Sequence, residues 1–336
     1  SNVLSNDDCT IFDVQFSEGE MIAILERYGL KFGADTNAST GFEETIYKLD
    51  LPNNNVETID TALFLMRETA SNLTITDDAV SAEIPVVKSE YESRNNIYMD
   101  AYKASLQEWT DGLEYINRFP IGSLETIARF SAPAVRDFYA KHYFPANTQL
   151  IIAGDIDADD IQAKIEKVFT DWQNAQAPTK FDAGMLNVND SLEVASFSGP
   201  NLPTQVNLFY VTPEQLAPDT ILNRRKDFVE QIANGILSYR LNSLVLAGNA
   251  PFEGVGSSHS FTFNQLDLTQ VIAQTQPEKW AESLTTLVVE IRKIMEFGIS
   301  EQELIREVKA TRNALVTAAQ SEATIPSGSL ANAVLS

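Results

Sequence analysis

Histidine and cysteine are scarce in this chain: its 336 residues carry two His, His142 and His259, and one Cys, Cys9. A single Cys cannot close an internal disulfide, so no disulfide framework holds the fold. Long apolar runs are missing too. No stretch reaches the roughly 18 consecutive apolar residues of a membrane-spanning helix. Basic residues are outnumbered, with 24 Lys and Arg against 47 Asp and Glu and a formal net charge of -23. Phosphate contacts need clustered Lys and Arg, so this balance argues against nucleic-acid binding. The opening residues SNVLSNDDC have no basic stretch and no apolar stretch, and do not read as a signal peptide. Ser257, Ser258 and His259 sit in no G-x-S-x-G elbow, and no G-K-[ST] follows Gly248 or the GVGSS turn, which removes serine-hydrolase and phosphate-loop readings.

What is present is an ordinary globular composition, 44% hydrophobic, long enough for two domains. Ser17 and Glu20 form a capping box for a helix whose apolar stripe is Met21, Ile24, Leu25 and Tyr28, with Gly29 as its C-cap. Thr45–Leu51 alternates as a strand. Asn54 opens a helix through Leu73 with Ile59, Leu63, Met66 and Ala70 on one face. Thr76 caps another helix that runs at least to Arg94, with a kink expected at Pro85. Asp100–Pro120 reads as looser chain. A helix over Ala132–Tyr143, a buried strand at Gln149–Gly154 and a helix capped by Asp157 up to about Trp172 follow. The polar, Pro-containing NAQAPTKFD closes this half near residue 183.

The second half predicts strands at Leu192–Phe197 and Gln205–Val211. A long helix over Arg224–Leu246 turns Phe228, Ile232, Ile236, Leu237, Leu241 and Leu244 inward. Strands at Gly254–Phe263 and Thr269–Gln274, helices at Pro277–Phe297 and Ser300–Gln320, and a helical tail complete it. The rhythm of strands followed by paired helices predicts an α+β fold, with two domains over residues 1–183 and 184–336 and helices packed on mainly antiparallel sheets. His142, at a helix end, reads as a capping or packing residue. His259, on a strand, reads as a lone structural histidine.

Several segments together resemble the pitrilysin/insulinase family of zinc metallopeptidases: FSEGEMIAILERYGLKFGADTNASTGFEETIYKLDLP over Phe16–Pro52, EIPVVKSE over Glu83–Glu90, Pro120–Ile121–Gly122, Phe138–Tyr139 with Tyr143, Pro145–Ala146–Asn147, Ala153–Gly154–Asp155–Ile156, and, more weakly, ILSYRL over Ile236–Leu241. The resemblance implies two related α+β domains, each a mainly antiparallel sheet with helices packed on it. In that family two His of an H-x-x-E-H helix and a distant Glu hold zinc. Glu90 matches the third metal ligand and Glu83 the acidic residue that orients it from behind. Seven residues apart on a helix, the two lie on nearly one face, two turns apart. Asn37, Ala38 and Ser39 match the edge strand on which an extended peptide substrate pairs.

The H-x-x-E-H motif itself is missing. One register places it at Val3–Asp7. The other places it at Cys9–Asp13, where Phe12 stands at the position of the general base and Cys9 and Asp13 make a poor zinc pair. The catalytic set is therefore empty in this chain. The resemblance implies that the first strands and the motif helix stand before Ser1 and that the second domain runs on past Ser336, or that the chain is a degenerate homologue. It implies a zinc-dependent endopeptidase acting on peptides or unfolded segments, with zinc in the full-length family member and none bound here. The alternative is a non-catalytic peptide-binding subunit, as a homodimer or paired with a second peptidase-family subunit. Family habit implies the periplasm or a secreted route.

Overall fold

The computed structural model describes residues 26–27, 29–30, 36–174, 177, 181–187 and 192–335. The chain divides into two compact units, each assembled from separated stretches. One unit comprises Ser1–Tyr91, Phe119–Phe181 and Ile325–Ser336, the other Glu92–Arg118 and Asp182–Thr324. Both mix helices with antiparallel strands, so the fold is α+β as the strand–helix rhythm predicts.

In the first unit, β1 (Thr36–Thr40) pairs antiparallel with β2 (Thr45–Leu49), and Asn37, Ala38 and Ser39 lie opposite Lys48, Tyr47 and Ile46. Helix α1 (Val56–Ser71) turns Ala62, Leu63 and Leu65 inward, and Leu65 packs with Leu30, Leu49 and Leu51. Helix α2 (Asp77–Arg94) starts where Thr76 Oγ1 accepts from Ala79 N–H, and it runs unbroken through Pro85. Its last residues belong to the second unit. The capping box at Ser17 and most of its helix fall outside the described residues. At that helix's end, Glu26 and Arg27 are helical and Gly29 has a φ of 80°, the left-handed conformation a C-cap needs.

Three further helices complete the first unit: α4 (Leu124–Ala128), α5 (Ala132–His142) and α6 (Ala158–Phe169). Each begins at a side-chain cap, from Ser123, Ser131 and Asp157 respectively. The tail helix α10 (Ser327–Leu335) also belongs here. Gln149–Gly154 is not the expected buried strand. It forms no ladder with any described segment and none of its residues is fully buried. An apolar run becomes a strand only when a neighbour completes its backbone hydrogen bonds.

In the second unit, β3 (Gln205–Pro213), β4 (Phe252–Thr262) and β5 (Leu266–Thr275) form an antiparallel sheet in the order β3-β5-β4. Central β5 is paired on both sides, and five of its ten residues are buried. Helix α7 (Ile221–Leu246) and helix α8 (Trp280–Phe297) cover one face. Leu241 and Leu287 form a cluster there with Phe252, Val271 and Ala273. Helix α9 (Glu301–Ser321) follows, started by a complete capping box between Ser300 and Glu303. The same Glu303 carboxylate takes two hydrogen bonds from Arg240 of α7 and so joins the two helices. Arg240, then the Ser300 contacts, hold Glu303 at a pKa of about 2.

Asp100–Pro120 is not loose. It forms α3 (Ile97–Trp109) and a short 3-10 turn at Glu114–Asn117. The overlooked signal is Asn96, whose side chain accepts from Tyr98 and Met99 N–H and starts α3. Trp109 stacks on Phe209 and Phe263, and Tyr115 stacks on Phe263 at 3.9 Å between ring centres. Phe263 and Asn264 both have positive φ, at the centre of the turn that Gln265 N–H closes onto Thr262 O. A bulky side chain is disfavoured there, and the aromatic stack holds it. Two other expectations fail. Leu192–Phe197 is exposed and forms no strand, because no described segment pairs with it. Phe228 of α7 is 41% exposed, since the buried stripe of that helix starts only at Ile232.

Leu287→Ala should destabilise the second unit by about 2–5 kcal/mol, read from urea unfolding; a loss under about 1 kcal/mol would place Leu287 outside the core. Glu303 has a folded pKa below its ordinary 4.5. Its contribution is therefore complete above that value and is lost as pH falls towards 2. Glu303→Gln should lower stability at neutral pH and flatten the acid limb of the stability profile, measured by denaturation between pH 6 and about 2.

Candidate functional site

The edge strand is held firmly. Tyr47, opposite Ala38 on β2, shares a 2.6 Å hydrogen bond between its hydroxyl and that of Tyr143, just past the end of α5. Tyr139 of α5 lies 4.6 Å from the Tyr143 ring, and its hydroxyl donates to Thr69 O of α1 at 2.8 Å. Burial, then the Tyr143 hydrogen bond, raises the Tyr47 pKa above its ordinary 10.0. Through this chain of phenols β2, α5 and α1 fix the hairpin. Residues Asn37 to Thr40 are exposed, and β1 pairs with β2 alone among the described residues. Asn37 Oδ1 accepts from Ala38 N–H at 2.8 Å, so one main-chain donor of this strand is met by the strand's own side chain.

Glu83 and Glu90 both lie on α2, Glu83 exposed and Glu90 half-buried, and no residue of this helix is fully buried. Glu90 has a polar or charged partner of its own. Among the described residues it belongs to no group of three His, Cys, Asp or Glu side chains able to hold a metal. His142 sits in the last turn of α5, its ring 4.4 Å from Phe138, which agrees with a capping and packing role. Cys9 and Asp13 fall outside the described residues. A lone carboxylate does not make a zinc site, which takes three or four N, S or O ligands. The donors described around Glu90 therefore do not fit the metal, and no chemical step is routed through it.

A polar group that sequence reasoning missed lies in the second unit. Lys226, Glu230, Asn234 and Ser238 follow each other at four-residue steps along α7. Ser238 and Asn234 hydrogen-bond Ser257 of β4, at 2.6 and 2.7 Å. One helical turn back, Glu230 lies 3.2 Å from Nε2 of His259, two residues along β4. The steps match because four helical residues and two strand residues each advance about 6–7 Å. On the other side Asp267 of β5 lies 3.3 Å from His259 Nδ1, and Thr269 Oγ1 is 3.0 Å from the same nitrogen. His259 is therefore not a lone histidine. Burial pushes the Asp267 carboxyl up, and His259 partly offsets this.

The comparisons agree with this architecture. The model described as "Insulinase (Peptidase family M16)" matches residues 14–110, and "Peptidase M16 inactive domain" matches residues 129–311. The chain belongs to the insulinase family of peptidases, family M16. It is 30% identical over 304 residues to the probable zinc protease PqqL of Haemophilus influenzae, covering 88% of this chain and 32% of that protein. It is 25% identical over 301 residues to an uncharacterized zinc protease of Rickettsia felis, covering 86% of this chain and 67% of that protein. The crystal structure of the periplasmic protease PqqL from Escherichia coli superposes with a TM-score of 0.86 at 20% identity, over 94% of this chain and 35% of that one. The chain thus spans about a third of the length of the first curated relatives it matches. Among the described residues no helix is long and apolar enough to cross a membrane.

Because the Tyr47 pKa is raised, the unfolded chain ionises this phenol near pH 10 while the folded chain keeps it neutral. Stability should therefore fall as pH rises above 10. Tyr47→Phe should remove that part of the alkaline slope while costing about 1 kcal/mol at neutral pH for the lost hydrogen bond. Urea denaturation at pH 7 and above pH 10 checks both, and an unchanged slope would detach Tyr47 from this network.

Proposed function

We propose that this chain is the peptide-holding part of an M16 zinc endopeptidase that acts on peptides or unfolded segments, and that by itself it does not hydrolyse them. The observation that supports this is the β1 edge, exposed at Asn37, Ala38 and Ser39, unpaired on its outer side among the described residues, and braced from behind by Tyr47. An extended peptide adds to such an edge through main-chain hydrogen bonds, which are largely independent of its sequence. In this reading Glu90 stands at the third zinc-ligand position, with Glu83 two turns away on the same face. The imidazoles and the general base come from elsewhere in the whole protein. The domains run over residues 1–183 and 184–336, and the periplasm is the compartment, as for the E. coli structural relative.

Neither of the chain's two histidines, His142 and His259, stands in an H-x-x-E-H motif, and this favours a second reading. In it the chain is a non-catalytic subunit, as a homodimer or beside an active peptidase-family partner, and encloses peptide for it. Both readings share the edge strand and differ in where the zinc is carried.

Fluorescence anisotropy with a labelled unfolded peptide tests the shared step. A scrambled peptide should bind within a few-fold of the original, and backbone N-methylation at alternate residues should weaken binding by about tenfold or more, because it removes the pairing donors. A strong sequence preference with no N-methylation effect would sink the edge-strand reading. A quenched peptide incubated with the chain should stay uncut, and robust chelator-sensitive cleavage would overturn the inactivity of this chain.

A further inference from the structure

We propose that Glu230, His259 and Asp267 form a binding site for a divalent cation of the zinc or manganese class, which ties α7 to the β4–β5 hairpin. One ligand atom from each of the three side chains lies within 4.8 Å of the other two. The three come from different elements, brought together by the α7 packing and by the β4–β5 register. That register sets His259 opposite Thr269 and Phe261 opposite Asp267, so His259 and Asp267 are diagonal neighbours on one face.

The donor set selects the ion. One imidazole nitrogen with two carboxylate oxygens suits zinc or manganese, whereas calcium and magnesium prefer all-oxygen shells and copper(I) prefers sulfur. A zinc bound at about 2.0–2.2 Å from each ligand holds the ligand atoms roughly 3–4 Å apart. Glu230 stands 3.2 Å from His259 Nε2 and Asp267 3.3 Å from Nδ1, so the carboxylates flank different ring nitrogens, and an ion on one nitrogen draws in the other carboxylate from within 4.8 Å. The side chains are 22%, 31% and 19% exposed for His259, Glu230 and Asp267, which shields the site yet leaves a path for the ion.

Charge and hydrogen bonding point the same way. The Lys226 ammonium is 2.6 Å from Glu214 and 3.8 Å from Oε1 of Glu230, the oxygen that does not face His259. Glu214 also interacts with Asp267 and His259, so three carboxylates, Glu214, Glu230 and Asp267, gather around one imidazole and one ammonium. Asp267 Oδ1, the oxygen 3.3 Å from His259 Nδ1, is buried and makes no aligned hydrogen bond, a state that a cation would relieve. Thr269 Oγ1, 3.0 Å from Nδ1, orients the ring, as outer-shell groups do around metal-binding histidines. The inference uses neither Glu90 nor the β1 edge and is independent of the peptidase reading.

The test is a zinc titration of the metal-stripped full chain against a chromophoric zinc chelator. One equivalent should bind, and binding should persist in Glu90→Gln. It should weaken by about tenfold or more in Asp267→Asn and in Glu230→Gln. Zinc should raise the Tm of the unaltered chain and of Glu90→Gln, but not of Asp267→Asn. Far-UV circular dichroism verifies that the variants fold. Should both variants lose their fold, X-ray absorption of the zinc-loaded unaltered chain decides, with one imidazole and otherwise oxygen ligands expected and sulfur overturning the site. No zinc uptake would overturn the proposal and leave an imidazolium held between two carboxylates. Uptake that survives both variants, or is lost in Glu90→Gln, would overturn it by placing the ion elsewhere.

Discussion

A strand exists only where its N–H and C=O groups find partners, and β5 finds them on both sides. That double pairing sets the register of β3 and β4, and through them the face on which Val271 and Ala273 meet Leu241 and Leu287. Helices α7 and α8 can pack only where this face has already been made. The same requirement explains β1, which is completed on one side by β2 and has no further strand partner among the described residues. It also explains Gln149–Gly154, apolar enough for a strand yet without a described neighbour to make it one.

Packing of α7 on the sheet does two kinds of work along one helix. Towards its C-terminal end Ile236 and Leu241 are fully buried. Along its middle a row of polar side chains faces Ser257 and His259 instead. Burying such groups is costly unless each meets a partner. Here the hydroxyls and the amide pair with each other, and the two carboxylates converge on one imidazole. Apolar and polar zones thus alternate under a single helix without disturbing its hydrogen bonding. In the first unit the edge strand is secured differently, by three tyrosines whose hydroxyls link β2, α5 and α1.

Among the described residues, Glu90 belongs to no group of His, Cys, Asp and Glu able to hold a metal. Glu83 and Glu90 lie seven residues apart on α2, about two turns along it. The site features that stand on this chain's own residues are the exposed β1 edge at Asn37, Ala38 and Ser39 and, in the other unit, the Glu230, His259 and Asp267 cluster. Neither overlaps the Glu90 position.

Much of the fold was legible in the sequence because local chemistry decides it. Caps at Thr76 and Asp157 mark helix starts, and the alternation in Thr45–Leu51 and Gln205–Val211 marks strands. The cap at Asn96 was equally local and was overlooked, which made α3 look like loose chain. The family was legible too, from Phe16–Pro52 and Glu83–Glu90. What only the tertiary structure decided are features made by distant residues meeting. Leu192–Phe197 and Gln149–Gly154 needed pairing partners that no local pattern reveals. Phe228 carries the apolar character of a buried residue, yet it precedes the stretch of α7 that meets the sheet. The Glu230, His259 and Asp267 group joins three elements, so sequence spacing leaves His259 looking alone. Local sequence determines which backbone conformation each segment prefers; only packing determines which side chains, far apart in the chain, share one small volume.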